Sequence, residues 1–332
     1  MTALAGTAAR SELTRRIAGI AISIAFLALT LARIDLPSAG RALSHVAPLA
    51  LVGALGLSAL EVAIRAVRWW RILHPFAPVP YRSALAYLCI GYFANALLPA
   101  RLGDVARTVL AARAFGIPRL RILATVLLER VADGLSILAI VAVLVVALPE
   151  ARPLVAGVQL LGAIAVAGVL VAGLMLLATH RTAVAATRIG AVVRSVAARL
   201  VDGLDAIRTP GRFVVVAVLT IVPFGVGSVT LLLVARAVGI DLTVPQGVLV
   251  VGALALSTAI PAAPGSLGTY EFVGLATLTG IGIPAEPAIA LVVLVHLVAT
   301  LPPALAGLAL TSVLHLNVVG LGRTLGQEHS GQ

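Results

Sequence analysis

The hydrophobic positions fall in long apolar runs rather than in short alternating stretches. A helix needs about 20 predominantly apolar residues to cross the hydrocarbon of a bilayer, and six runs meet that length: 17–34, 47–66, 122–148, 154–178, 213–235 and 288–314. Two more, 83–100 and 248–282, are apolar but broken by proline, glycine and charge. The first run follows Arg10, Arg15 and Arg16 in the manner of a signal peptide, but in a chain that continues as further spans it is expected to remain an uncleaved anchor.

Arginine placement orders these runs. With the N-terminus inside, two spans return the chain to the cytoplasm at Arg65, Arg68 and Arg71, as the positive-inside rule requires. If 83–100 then crossed, Arg101, Arg107, Arg113, Arg119 and Arg121 would lie outside. The conflict disappears if this segment is a re-entrant hairpin, a form tolerated where backbone is buried in protein or lines a wet cavity. The next two spans bring the six arginines of 180–212 inside, and 248–282, with Pro261, Pro264, Gly265 and Gly268, forms a second hairpin entered from outside. The expected fold is one all-α polytopic membrane domain over 1–332, with six full spans and two re-entrant or broken helical hairpins. Its halves, 13–148 and 154–315, form an inverted repeat, an arrangement that places broken elements near the midplane where secondary transporters bind substrate. Both termini are expected to be cytoplasmic, in a bacterial cytoplasmic membrane. Between the halves, Ile189, Val193, Val196, Leu200, Leu204 and Ile207 recur every three or four residues, which predicts a cytoplasmic amphipathic linker over 179–212. Trp69 and Trp70, beside Arg68 and Arg71, fit an interfacial aromatic belt.

Composition agrees with a bilayer and removes several chemistries. The chain is 61% hydrophobic and 11% charged, against about 25% charged residues in soluble domains. Twenty-four arginines against 13 acids give a net charge of +11, and because they lie between apolar runs the surplus reads as topological, not as a nucleic-acid surface. No lysine is present, so a Walker A loop, a Schiff-base nucleophile and a pyridoxal phosphate anchor are excluded. One cysteine, Cys89, cannot form an internal disulfide, and His45, His74, His180, His296, His315 and His329 are too scattered for helix-borne metal pairs. No cofactor, metal or catalytic residue is expected.

Ionisable residues within apolar segments are expensive and by default mark function. Three groups qualify. In Asn95-Ala-Leu-Leu-Pro99-Ala-Arg101-Leu-Gly103-Asp104-Val-Ala-Arg107, Pro99 and Gly103 break the helix. A helix restarting after Pro99 would align Arg101, Asp104 and Arg107 at i, i+3, i+6, offering guanidinium forks suited to phosphate; alternatively these arginines hold the hairpin on the cytoplasmic side. Glu129-Arg130-Val-Ala-Asp133 places two carboxylates one turn apart, which requires intervening cations, either Arg130 or Arg101 across the hairpin, or a shared proton. The same group also reads as an ion-pair network docking hairpin onto helix. In Ile260-Pro261-Ala-Ala-Pro264-Gly265-Ser266-Leu267-Gly268-Thr269-Tyr270-Glu271, a helix starting near Ser266 would aim its positive end into the turn, with Glu271 in its first two turns; a plain external loop is the other reading. Glu61, Arg65 and Arg68 read as an ion pair near a helix end.

At these segments the chain resembles the flippase-like integral membrane family that includes the lipid-translocating domain of lysylphosphatidylglycerol synthases. The resemblance rests on NALLPARLGDVAR, VLLERVADG and IPAAPGSLGTYE. It implies a polytopic helical protein that moves an amphipathic lipid between leaflets, with Arg101, Gly103, Asp104, Arg107, Glu129, Arg130, Asp133, Pro264, Gly265, Gly268 and Glu271 in motif positions. Asp104 stands where Glu is common in that family, and Ser266 where a second glycine often follows the first. The soluble aminoacyl-transferase domain of the lysyl-lipid branch does not follow the last span, so lysyl transfer is not the expected activity. The expected function is a lipid translocator for a phosphate-bearing phospholipid or polyprenyl-linked lipid, binding through Asn95, Arg101, Asp104, Arg107, Glu129, Arg130, Asp133 and Glu271. A proton-coupled carrier of a small polar solute is the alternative, and a membrane-embedded enzyme using Glu129 or Asp133 as general base is a third. Membrane lipids are the expected partners, with a separate lipid-modifying enzyme as a possible further one.

Overall fold

The computed structural model describes residues 48–98, 101–147, 207–258 and 264–314, with isolated positions between 156 and 167. Run 17–34, most of run 154–178, most of the linker 179–212, Pro99 and Pro261 lie outside the described residues. Those described form an all-α fold of eight helices: α1 Pro48–Leu73, α2 Tyr81–Leu97, α3 Leu102–Phe115, α4 Arg119–Ala147, α5 Pro210–Ala237, α6 Val244–Ser257, α7 Thr269–Gly280 and α8 Ala285–Val313. Helices α1, α5 and α8 are long and apolar enough to cross a membrane. At 29 residues, α4 is about 44 Å long.

Each broken run resolves into two helices around a non-helical joint. The run 83–100 becomes α2, which ends at Leu97, and α3, which starts only after Arg101. The run 248–282 becomes α6, a 3₁₀ turn at Pro264–Ser266, and α7. The second helix there begins at Thr269, three residues later than Ser266, because Gly265, Ser266 and Gly268 all have positive φ and cannot continue a right-handed helix. Ser266 sits at φ 58°, a conformation that glycine adopts more cheaply.

Among the described residues, the principal helix contacts obey an exchange rule. Swapping α1 with α5, α2 with α6, α3 with α7 and α4 with α8 turns every principal packing pair into another. Thus α2–α8 corresponds to α6–α4, α2–α3 to α6–α7, α3–α4 to α7–α8, α1–α2 to α5–α6, α1–α8 to α5–α4 and α1–α4 to α5–α8, while α1–α5 maps onto itself. Leu231, Leu254, Leu278 and Leu291 centre one apolar cluster, and Trp69, Leu73, Leu88 and Ile122 another. Trp69 is fully buried, which corrects its reading as an interfacial residue; its Nε1 donates to Thr125 Oγ1 at 3.2 Å because α1 packs against the charged start of α4.

Candidate functional site

The joint between α2 and α3 sets the first wall of the site. Arg101 is the N-cap of α3 and adopts a left-handed backbone, φ 55° and ψ 31°. That turn breaks the helical phase, so Arg101 does not continue the line of Asp104 and Arg107 that the i, i+3, i+6 spacing predicted. Its guanidinium instead donates to the Thr258 hydroxyl at the end of α6, and Thr258 passes its own proton to the Ala255 carbonyl at 2.6 Å. The close approach of α3 to α2 requires small residues: a Cβ on Gly91 would meet Arg107 side-chain carbons at 3.1 and 3.2 Å.

Behind Arg101 the remaining charges interlock. Arg68 spans the two carboxylates of α4, with Nε on Glu129 Oε1 at 3.2 Å and Nη1 on Asp133 Oδ1 at 2.5 Å. Arg107 takes the other oxygen of Glu129 at 3.0 Å and lies 4.5 Å above the Trp69 ring. Arg130 contacts Asp104 at 3.1 Å and Asp133 at 3.7 Å. Arg65 holds Glu61 at 2.8 Å and reaches Asp133 at 3.8 Å. The cation between Glu129 and Asp133 is therefore Arg68, with Arg130 only beside Asp133 and Arg101 elsewhere. The sequence reading misses Arg68 because it places it in an ion pair near a helix end; Glu61 and Arg65 do pair with each other, but Arg65 and Arg68 reach across from α1 to the carboxylates of α4.

The second wall comes from the α6–α7 joint and α8. Glu271 at the third position of α7 accepts the Gly268 N–H at 2.6 Å, capping its own helix. Its other oxygen lies 2.5 Å from His296 Nδ1, and His296 Nε2 lies 2.9 Å from the Gly265 carbonyl. A carbonyl only accepts, so the Nε2 contact is a hydrogen bond when Nε2 carries a hydrogen, and with that hydrogen in place the Nδ1 contact takes a second proton, on Nδ1 or on the carboxyl. Both contacts are satisfied at once when the pair holds one proton more than a carboxylate and a neutral imidazole. The imidazole also stacks on Tyr270, with centroids 4.2 Å apart.

The exchange rule carries over to these side chains. Asp104 and Glu271 occupy the same third position of α3 and α7, after N-caps with positive φ. Arg130 and His296 lie at the same distance from the first residues of α4 and α8, Arg119 and Ala285. The ion pair Asp104–Arg130 is thus the counterpart of Glu271–His296. His296 was singled out in the sequence only as a non-ligand, although an ionisable residue in so apolar a helix is itself the signal that finds it.

Between the two walls lies a cavity of ≈ 600 Å³ lined by Asn95, Arg101, Arg130, Asp133, Gly265 and His296, among others. Asp104, Arg107, Glu129 and Glu271 stand behind this lining. Glu129 is 2% exposed, and Glu271 meets the space through His296. Asn95 Oδ1 is buried with no hydrogen-bond partner among the described residues. A second cavity of ≈ 260 Å³ between α4, α5 and α6 is lined almost wholly by apolar groups, and it shares Ile137, Phe224 and Val251 with the first. Among the described residues no group of three or more potential metal ligands occurs.

A family model for the lysylphosphatidylglycerol synthase TM region matches residues 16–307. The chain belongs to that family. Both walls of the cavity fall inside the matched residues, and membership makes the chain an integral membrane protein of a lipid-related flippase and synthase family. No curated protein matches the chain significantly.

Proposed function

We propose that this member of the lysylphosphatidylglycerol synthase TM region family is a lipid translocator rather than an enzyme, and that the ≈ 600 Å³ cavity receives a phosphate-bearing head group. The observation that carries the reading is a charged cavity lying beside an apolar one, with Ile137, Phe224 and Val251 in the wall of both, a pairing that suits an amphipath with its head on the arginine wall and a chain between α4 and α5. Arg101, which rests on the neutral Thr258 hydroxyl and meets no carboxylate among the described residues, supplies the fork for phosphate. Covalent chemistry is disfavoured because both oxygens of Glu129 are held by arginines and Asp133 is clasped by Arg68, which leaves neither as a general base.

The paired helix contacts support the inverted repeat; the arginine distribution supports α2–α3 and α6–α7 as hairpins entered from opposite sides and both termini in the cytoplasm, and we place the chain in a bacterial cytoplasmic membrane. In a variant with Cys89 replaced and one cysteine at position 113, an impermeant thiol reagent should label from the cytoplasmic side only. Labelling from outside would overturn this topology.

Transport is tested with purified protein in vesicles carrying a fluorescent phosphatidylglycerol. Arg101→Ala should abolish leaflet exchange, and Arg101→Lys should restore it partly because the bidentate fork is lost. Gly225 lines the apolar cavity, and a Cβ there meets nothing within 4 Å, so Gly225→Leu should fold and slow exchange severalfold by filling the chain site. A carrier of a small polar solute, the reading that the Glu271–His296 proton favours, would be indifferent to Gly225→Leu.

A further inference from the structure

The charges around the cavity do not balance, and the imbalance depends on one proton. Arg65, Arg68, Arg107 and Arg130 stand against Glu61, Asp104, Glu129 and Asp133, each arginine within 4 Å of at least one of these carboxylates. Among the described residues Arg101 has no carboxylate partner; it rests on the neutral hydroxyl of Thr258. Glu271 and His296 are neutral as a pair while they hold their proton and carry one negative charge without it. Among the described residues the site therefore has a surplus of one positive charge when the pair is protonated and none when it is not.

We propose that the cavity loads one monoanionic phosphodiester head group together with one proton, the proton residing between Glu271 and His296. With the proton present, Arg101 attracts the anion and the site becomes neutral on binding. Loss of the proton puts a negative charge on the opposite wall and expels the phosphodiester. Atoms and charge balance without any other reactant: one anion and one proton enter, and the same two leave. A diphosphate, with two or more charges, would leave a negative excess, and a zwitterionic head group would leave the surplus positive charge of the site in place.

The asymmetry between the halves points the same way. Asp104–Arg130 and Glu271–His296 are counterparts, but arginine stays charged at any accessible pH whereas histidine changes charge between about pH 5 and 8 when unperturbed. The first pair is a fixed clasp and the second is its protonatable copy. Of the other groups facing the pair, Arg65, Arg101 and Arg130 keep their charge, Glu61 and Asp133 are held by arginines, and the phenols of Tyr92 and Tyr270 ordinarily ionise only near pH 10.

This inference rests on the translocator reading, and an equilibrium binding measurement separates the two. Binding of phosphatidylglycerol to the purified full chain in detergent is measured from about pH 5 to about pH 9, a range over which the phosphodiester stays singly charged and histidine titrates. Affinity should fall at least tenfold as pH rises, and Arg101→Gln should remove it throughout. His296→Arg, which copies the first-half clasp, should bind phosphatidylglycerol with no pH dependence. If that variant fails to fold, the double variant Glu271→Gln/His296→Gln, neutral at every pH, should behave the same way. Phosphatidylcholine, whose head group is neutral overall, should bind at least tenfold more weakly than phosphatidylglycerol near pH 6. A flat pH profile in the wild type, or equal binding of phosphatidylcholine, overturns the coupled loading while the translocator reading stands. Absence of leaflet exchange in vesicles despite pH-dependent binding overturns the translocator reading instead.

Discussion

Arg68→Ala is expected to cost about 3–5 kcal/mol of folding stability, the range for removing one partner of a buried ion pair. Arg68 is 3% exposed and is the cation that spans Glu129 and Asp133. Without it, two carboxylates one helical turn apart face each other, with Arg107 left for Glu129 and only the longer contacts of Arg65 and Arg130 for Asp133. The cost should come from the charges left behind, not from the lost contact itself. The triple variant Arg68→Met/Glu129→Gln/Asp133→Asn should therefore regain most of the loss, since replacing a whole buried pair with neutral groups is often close to neutral. Equilibrium unfolding in mixed micelles measures both. A loss below about 1 kcal/mol for Arg68→Ala, or no recovery in the triple variant, would show that the network does not depend on Arg68. Arg101→Ala is the contrast: its partner is a hydroxyl that keeps its bond to the Ala255 carbonyl, so it should remove transport and leave stability nearly unchanged.

How far the site could be read from the sequence depended on whether a signal was local. The helices of runs 47–66, 122–148, 213–235 and 288–314 were legible because length and apolarity are summed over many residues; the structure extends α1 to Leu73 and starts α5 at Pro210. The breaks at both joints were legible because proline and glycine act on their own backbone. The charged motifs marked Arg101, Glu129, Asp133 and Glu271, but spacing along one helix could not say which charge meets which. Arg101 left the helical line because one left-handed residue changes the phase, and Arg68 arrived from another helix altogether. Thr258, an ordinary residue at a helix end, carries no sequence signal at all.

The glycines show the same division between local and tertiary information, and they give the second large effect. The sequence holds 31 of them, so their number cannot say which ones matter to packing. In the structure a Cβ on Gly307 would land on the Cys89 carbonyl and within 2.6 Å of the Phe93 Cβ, where α8 crosses α2. A Cβ on Gly103 would strike the Gly91 carbonyl and meet the backbone nitrogen and side-chain oxygen of Asn95 at 2.5 Å. In both cases the obstacle includes backbone, which cannot turn aside as a side chain can, so the helices themselves must separate. Overpacking usually costs about 1–3 kcal/mol and occasionally more, and Gly307→Ala and Gly103→Ala should lie at or above the top of that range. Gly56→Ala in α1 is the matched control: its Cβ meets nothing within 4 Å, and helix propensity favours alanine by about 1 kcal/mol. The three variants should thus divide in sign, with Gly56→Ala raising the thermal midpoint slightly and the other two lowering it or losing the monodisperse species on size exclusion. If Gly307→Ala melted like Gly56→Ala, the close approach of α2 and α8 would be wrong. The cavity would lose its frame with it, because α2 carries Asn95 and α8 carries His296.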